Sequence, residues 1–314
     1  MNNRKEQIKE LWRTCFHDPE DFITLYFDRV FKEEQAYTIE RDGRIVSFLQ
    51  VIPYTLIWYG REIRMGYISG ACTDPRERGK GLMRELLEKA FTGMRREGYD
   101  ITGLIPAEPW LFDYYRAQGY TEVFDYSWET YLVSDEETDA GRIKPISSES
   151  KDLEKWYRYF DSQLRCRTCS VLHTPEDFKT NLMEFERTEG LVAGMEDRQG
   201  NPIGLLFAVT SEKEPLIKEM VYDNISVKKA LLQHTCRFFH SEKAVWKSTP
   251  LLPDTHRLGM AMVLNREKMT RQWLESHPEQ PFTAETLEQM DDKTLTSLLM
   301  GYSKRDAIMS LMLD

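Results

Sequence analysis

Positive charge is in short supply in this 314-residue chain: 42 Lys and Arg face 52 Asp and Glu, a net charge of −10. Such a field repels phosphate backbones and anionic lipid, so nucleic acid and membrane are not expected as partners. A cationic amine fits it. Long hydrophobic runs are missing too, and no stretch approaches the ~20 apolar residues that cross a bilayer. The opening residues, MNNRKEQIKELW, are polar and then amphipathic, unlike a signal peptide. A cytoplasmic location is expected, with the five cysteines as reduced thiols. Two common nucleotide signatures are also absent. A Walker A loop needs Ser or Thr after Gly-Lys, and Leu82 follows Gly81 here. A Rossmann fingerprint needs three spaced glycines, and only Gly79 and Gly81 are present.

What is there is concentrated between residues 67 and 120. An apolar strand over 67–73 stops at Asp74-Pro75, and the loop Arg76-Glu77-Arg78-Gly79-Lys80-Gly81 follows. A helix comes next, with Leu82, Leu86, Ala90 and Met94 on one face and Arg84, Glu85, Glu88, Lys89, Arg95 and Arg96 elsewhere. Gly98 fits the left-handed position just past its end. A short strand over 100–106 completes the unit. Strand, glycine loop, helix and strand form an anion-binding arrangement, because the helix start presents backbone N–H groups and glycines allow close approach. The bland alternative is a generic βαβ unit with a solvated basic loop and a core tyrosine.

The loop resembles the acetyl-CoA motif of the GNAT N-acetyltransferase superfamily, Arg/Gln-x-x-Gly-x-Gly/Ala a few residues after a strand-ending proline. Counted from Pro75, the arginine falls on Arg78, the first glycine on Gly81 and the last small position on Met83, which departs from the pattern. The frame starting at Arg76 matches all three letters two residues too early; the Arg78 frame is preferred because Leu82 then starts the helix. A large residue at the last position resembles the tandem-GNAT branch of the enhanced-intracellular-survival acetyltransferases. Downstream, Tyr114-Tyr115-Arg116-Ala117-Gln118-Gly119-Tyr120 fits the family pattern of aromatic, Tyr, three residues, Gly, aromatic.

The order of elements suits the same reading: an α/β (α+β) chain with an N-terminal GNAT fold, a second, degenerate GNAT-like domain and a short helical tail. Residues 3–31 read as two helices, with Ile8, Leu11, Trp12 and Cys15 as one stripe and Asp18-Pro19-Glu20-Asp21 as the cap and first turn of the next. A hairpin over 36–52 turns at Arg41-Asp42-Gly43, and a further strand pair is expected over 55–59 and 63–73. The boundaries are placed at 1–137, 138–268 and 269–314, with a polar linker over 134–150. The second half repeats the first weakly. Its strand over 217–223 and helix over 227–239 are joined only by Asn224-Ile225-Ser226, without glycine or arginine and with Ser226 as the expected cap. No cofactor cradle is expected there.

Resemblance also implies roles. Acetyl-CoA would be the cosubstrate and a small-molecule or peptide amine the acceptor. Ala71, Cys72 and Thr73 would pair with pantetheine, and Arg78, Gly79, Lys80, Gly81, Leu82 and Met83 would hold the pyrophosphate, Arg78 and Lys80 adding charge. Tyr115 would be the general acid. The usual strand glutamate is missing, since residues 66–73 hold no carboxylate. Glu108, water or the carboxylate of Asp314 must then act as base; the resembled enzymes and N-myristoyltransferases use a terminal carboxylate. The apolar stretch before Asp314 could instead dock for stability or in a homo-oligomer. A non-catalytic CoA-binding sensor and an aminoacyl transferase are the competing readings. Cys166, Cys169 and His173 invite a metal or redox reading, but a CxxC inside a helical region fits core or surface thiols better, and no metal is expected.

Overall fold

In the computed structural model, which describes residues 4–133, 140–211, 214–250, 254–302, 304–305 and 307–313, the first stripe lies on α1 (Arg4–Cys15) with Ile8, Leu11 and Trp12 buried. Next comes α2 (Glu20–Leu25), continued by a wider turn over Tyr26–Val30. Asp18 is not its cap: the cap position is Pro19, and the Asp18 carboxylate accepts from Trp12 Nε1 at 2.8 Å. Strands β1 (Ala36–Arg41) and β2 (Arg44–Trp58) meet at Asp42-Gly43, both at positive φ as a two-residue hairpin turn requires. Where two shorter strands were expected, β2 is continuous: Pro53 is exposed and lies past Gln50, the last residue β1 pairs. It pairs antiparallel with β3 (Arg61–Thr73). From there the chain runs through α3 (Leu82–Arg96) to β4 (Ile101–Leu104), parallel to β3, then α4 (Leu111–Ala117) and β5 (Thr121–Leu132).

The chain divides into two units, Met1–Phe124 with Arg257–Ala307, and Asp125–His256 with Ile308–Leu313. The second holds β6 (Arg142–Pro145), α5 (Leu153–Arg165), β7 (Cys169–Leu172), α6 (Pro175–Arg187), β8 (Leu191–Glu196), β9 (Pro202–Val209), β10 (Leu216–Tyr222), α7 (Ile225–Phe238) and β11 (Lys243–Ser248). Its strands repeat the pairing of the first unit. Antiparallel β8/β9 and β9/β10 followed by parallel β10/β11 across α7 match β1/β2, β2/β3 and β3/β4 across α3. Part of the expected linker is structured, because Arg142–Pro145 adds antiparallel to β8; residues 134–139 lie outside the described residues.

After the second unit the chain returns as β12 (His256–Val263), whose Met260 to Val263 pair with β4 inside the first unit. α8 (Arg266–Ser276), α9 (Ala284–Glu288) and α10 (Asp292–Leu299) follow. The boundaries read from sequence, 137/138 and 268/269, are therefore not where the two units divide. Backbone ladders to β4 and the Lys268–Asp100 ion pair at 2.8 Å hold this segment with the first unit.

Candidate functional site

A seam opens in the first unit. Strands β3 and β4 pair only through Met65↔Ile101, Gly66↔Thr102 and Tyr67↔Gly103. β3 then runs on to Thr73 while β4 ends at Leu104, so residues 68–73 keep β2 as a neighbour and lose β4. Past Tyr67 this edge of β3 has no strand neighbour among the described residues, although the Thr73 carbonyl accepts from Arg78 Nε and Cys15 Sγ. Gly70 (φ 61°) lies in this stretch, where Cβ would come within 2.3 Å of Trp12, and the β2/β3 register slips between Phe48 and Gln50. Such a bulge re-aims the strand. Ala71, Cys72 and Thr73, the expected pantetheine-pairing residues, sit just beyond it.

At the end of β3 the Asp74 carboxylate caps a short turn, Pro75–Glu77, by accepting from the Arg76 N–H at 2.9 Å. Gly79 (φ 76°) and Gly81 (φ 79°) are both left-handed, a conformation glycine adopts without the Cβ penalty. Gly81 is the cap position of α3 and no side chain caps that helix, so its first N–H groups face outward. Leu82 is the first helical residue, which agrees with the Arg78 frame of the motif. Arg78 and Lys80, expected to add charge at the pyrophosphate, each have a partner within the protein. Arg78 Nε donates to the Thr73 carbonyl at 3.1 Å, and Lys80 Nζ pairs with Glu77 at 3.0 Å, which also holds Arg41.

Tyr115 lies in the last turn of α4, its ring buried in the core cluster that holds Phe91 and Ile68 and in contact with the rings of Tyr114 and Tyr120. Its hydroxyl has no hydrogen-bond partner among the described residues. Burial, with Tyr114 and Cys72 adding to it, pushes its pKa well above the tyrosine range, so the phenol stays protonated. The rest of the motif is a helix cap. Gly119 (φ 101°) follows the helix end, its N–H donating to Arg116 O at 3.2 Å, and Tyr120 N–H reaches back to Tyr115 O at 3.2 Å. That is a Schellman closure, completed by the Tyr115–Tyr120 ring contact at 5.8 Å. Beneath it, Tyr120 Oη, Thr102 Oγ1 and the Gly66 carbonyl form a buried chain with links of 3.0 and 2.8 Å.

Of the expected bases, Glu108 is exposed in the turn before α4 and makes no ion pair among the described residues. Asp314 lies outside the described residues. In the second unit, the connection that parallels the glycine loop is closed. Asn224, not Ser226, is the cap of α7, its side chain accepting from the Val227 N–H at 3.1 Å. Asparagine fits because the amide oxygen reaches the third N–H of the helix. Cys166 and Cys169 do not sit inside a helix as expected: Cys166 ends α5 and Cys169 begins β7. Among the described residues no group of three or more His, Cys, Asp and Glu is placed to hold a metal. Nor is any described helix long and apolar enough to cross a membrane.

With this geometry in view, a profile described as an acetyltransferase (GNAT) domain matches residues 2–123. A search of curated proteins by sequence finds no match. Similar solved structures include a conserved protein of unknown function from Enterococcus faecalis, described as a probable N-acyltransferase, at TM-score 0.70 and 15% identity over 86% of this chain and 72% of that one. Eis1 from Mycobacterium abscessus has TM-score 0.65 and 12% identity over 86% and 74%. Saccharomyces cerevisiae N-myristoyltransferase with bound myristoyl-CoA has TM-score 0.54 and 11% identity over 84% and 81%. At these identities the likeness is one of fold.

Proposed function

We propose, from the match of residues 2–123 to an acetyltransferase (GNAT) domain, that the chain moves an acetyl group from acetyl-CoA to a primary amine of a small molecule or peptide. One observation carries the reading: the uncapped start of α3, behind two left-handed glycines, stands at the mouth of the opened β3/β4 seam. When bound, acetyl-CoA supplies an activated acyl thioester. The N–H groups of residues 78–83 would hold its pyrophosphate, which suits a helix N-terminus. Neither engaged charge is needed for this. The strand-free edge at Ala71, Cys72 and Thr73 would take the pantetheine as an added strand, with the Thr73 carbonyl already accepting from Arg78 and Cys15.

The Asp74 N–H goes to Val46 O at 2.9 Å, so strand alternation turns the Thr73 N–H toward the opened side. That donor is suited to polarising an acyl carbonyl. Tyr115, protonated and with an unpartnered hydroxyl, is suited to returning a proton to a leaving thiolate, whose thiol has a pKa near ~8.5. The amine, near ~10.4 when unperturbed, must lose a proton first; we assign that step to the exposed Glu108.

The missing carboxylate over residues 66–73 favours a second reading, a CoA-binding sensor without chemistry. Screening amines with acetyl-CoA while following thioester absorbance separates the two. Amine-dependent loss of thioester is expected. CoA binding with no turnover on any amine would select the sensor.

A further inference from the structure

Behind β3, on the side of α1, two thiols meet. Cys15 closes α1 and is half-buried, whereas Cys72 on β3 is buried. Both pack against the aromatic cluster of Trp12, Tyr26, Phe27 and Phe48. Cys15 Sγ donates to the Thr73 carbonyl at 3.4 Å, and the same oxygen accepts from Arg78 Nε at 3.1 Å. The sulfur of Cys15 therefore sits beside a guanidinium. Cys72 is the residue just before that carbonyl on β3. None of the five cysteines is bridged.

The two thiols are driven apart in acidity. Hydrogen bonding from Cys72, helped by Arg78 and opposed by burial and by the Asp74 carboxylate, lowers the Cys15 pKa to about 7. Burial pushes Cys72 well up. Cys15 ionises in the physiological range, and Cys72, in the same cluster and one residue before the carbonyl that Cys15 meets, stays protonated. A nucleophilic cysteine and a resolving cysteine need that arrangement. Cys166 makes a useful contrast: it is exposed, but the guanidinium of its neighbour Arg167 is taken by Glu219 at 3.1 Å.

We propose that Cys15 and Cys72 form a peroxide-sensitive pair, in which Cys15 is oxidised by a hydroperoxide and Cys72 resolves it to an intramolecular disulfide. In the first step the Cys15 thiolate attacks one peroxide oxygen. The S–O bond forms, the O–O bond breaks, and the second oxygen leaves as hydroxide and takes up a proton to give water. Sulfur loses two electrons to the peroxide. In the second step the Cys72 sulfur attacks Cys15. The S–S bond forms, the S–O bond breaks, and the departing hydroxide combines with the Cys72 proton as a second water. The new bond would tie the end of α1 to β3 one residue before Thr73, on the strand that feeds the glycine loop.

The test treats the full-length chain with a few equivalents of hydrogen peroxide, quenches by alkylation and maps peptides by mass. A Cys15–Cys72 cross-linked peptide, lighter by two hydrogens and formed before Cys166 is oxidised, is the expected result. Cys72→Ser should instead leave a Cys15 sulfenic acid that a 1,3-diketone probe captures. In the wild type, Cys15 alkylation should rise with a midpoint near pH 7, and at neutral pH should run about tenfold faster than that of an ordinary thiol of pKa ~8.5. Oxidation of Cys166 with Cys15 and Cys72 still fully alkylatable would overturn the proposal. Cross-link mapping needs no variant, so a poorly folded Cys72→Ser protein would not blur the answer.

Discussion

Tyr115 shows how one side chain carries two separable roles. Its ring closes the α4 cap against Tyr120, and its backbone carbonyl accepts the Tyr120 N–H. Only the hydroxyl is left for chemistry. Tyr115→Phe should therefore fold normally, bind CoA as the wild type does, and turn over about 10²-fold more slowly. Unchanged turnover on a good acceptor, measured at saturating acetyl-CoA, would leave the residue as packing alone. The role of Gly119 was legible from sequence as a motif letter, and its cause is now physical: the chain needs φ near 101° there, and a Cβ would meet Met262 Sδ at 2.8 Å. The engagement of Lys80 by Glu77 was not legible, because a charge run does not say which partner each charge takes. Cys15 beside Cys72 was equally hidden. The contact from Cys15 to Thr73 spans 58 positions, and nothing in the local pattern of either segment calls for it.

Elements that announce themselves by local chemistry were read closely. Pro75, the glycines and the amphipathic stripe placed the start of α3, and Gly98 its end: the Tyr99 N–H reaches Met94 O at 3.0 Å and the Gly98 N–H reaches Arg95 O at 3.1 Å, the same closure as in α4. What local chemistry does not encode is pairing. β12 was placed with the second domain because it follows that domain in sequence, while its ladder partner, β4, lies far upstream. The cap of α7 was misplaced by two residues because Asn224 and Ser226 are both good caps, and only geometry chooses. That choice has a consequence. Asn224→Ala should destabilise the chain by about 1 kcal/mol, read as a lower midpoint in urea, because the Val227 N–H loses its acceptor. CoA affinity should not change; a parallel loss would mean that the second connection also serves the ligand.

For the molecule as a whole, the duplicated pairing pattern sets an open helix start in one unit against a closed one in the other. Glycine and arginine content had distinguished them in the sequence, and the caps differ accordingly: no side chain caps the start of α3, whereas Asn224 accepts from the Val227 N–H at the start of α7. The first unit also buries Tyr115 and Tyr120, whose pKa values are both raised by burial. Above the unfolded tyrosine value of ~10, the unfolded chain loses these protons first, so it binds fewer protons than the folded one. Stability should hold level below about pH 10 on this account and fall above it. Urea midpoints taken across that range, with tyrosinate absorbance followed alongside, check this; phenol ionisation without loss of structure would contradict it.

Whether the opened seam and glycine loop bind CoA is tested most directly by calorimetric titration of CoA into the full-length protein and into Gly81→Ala. Alanine at φ 79° costs about 1 kcal/mol of backbone strain and its Cβ would stand in the way of a phosphate approaching the uncapped start of α3, while the protein itself has room for it, the nearest neighbour Arg84 being 3.6 Å away. The predicted result is saturable binding at one site per wild-type chain, weakened about tenfold or more in the folded variant. Absence of binding to the wild type, or equal affinity in the two proteins, would contradict the account.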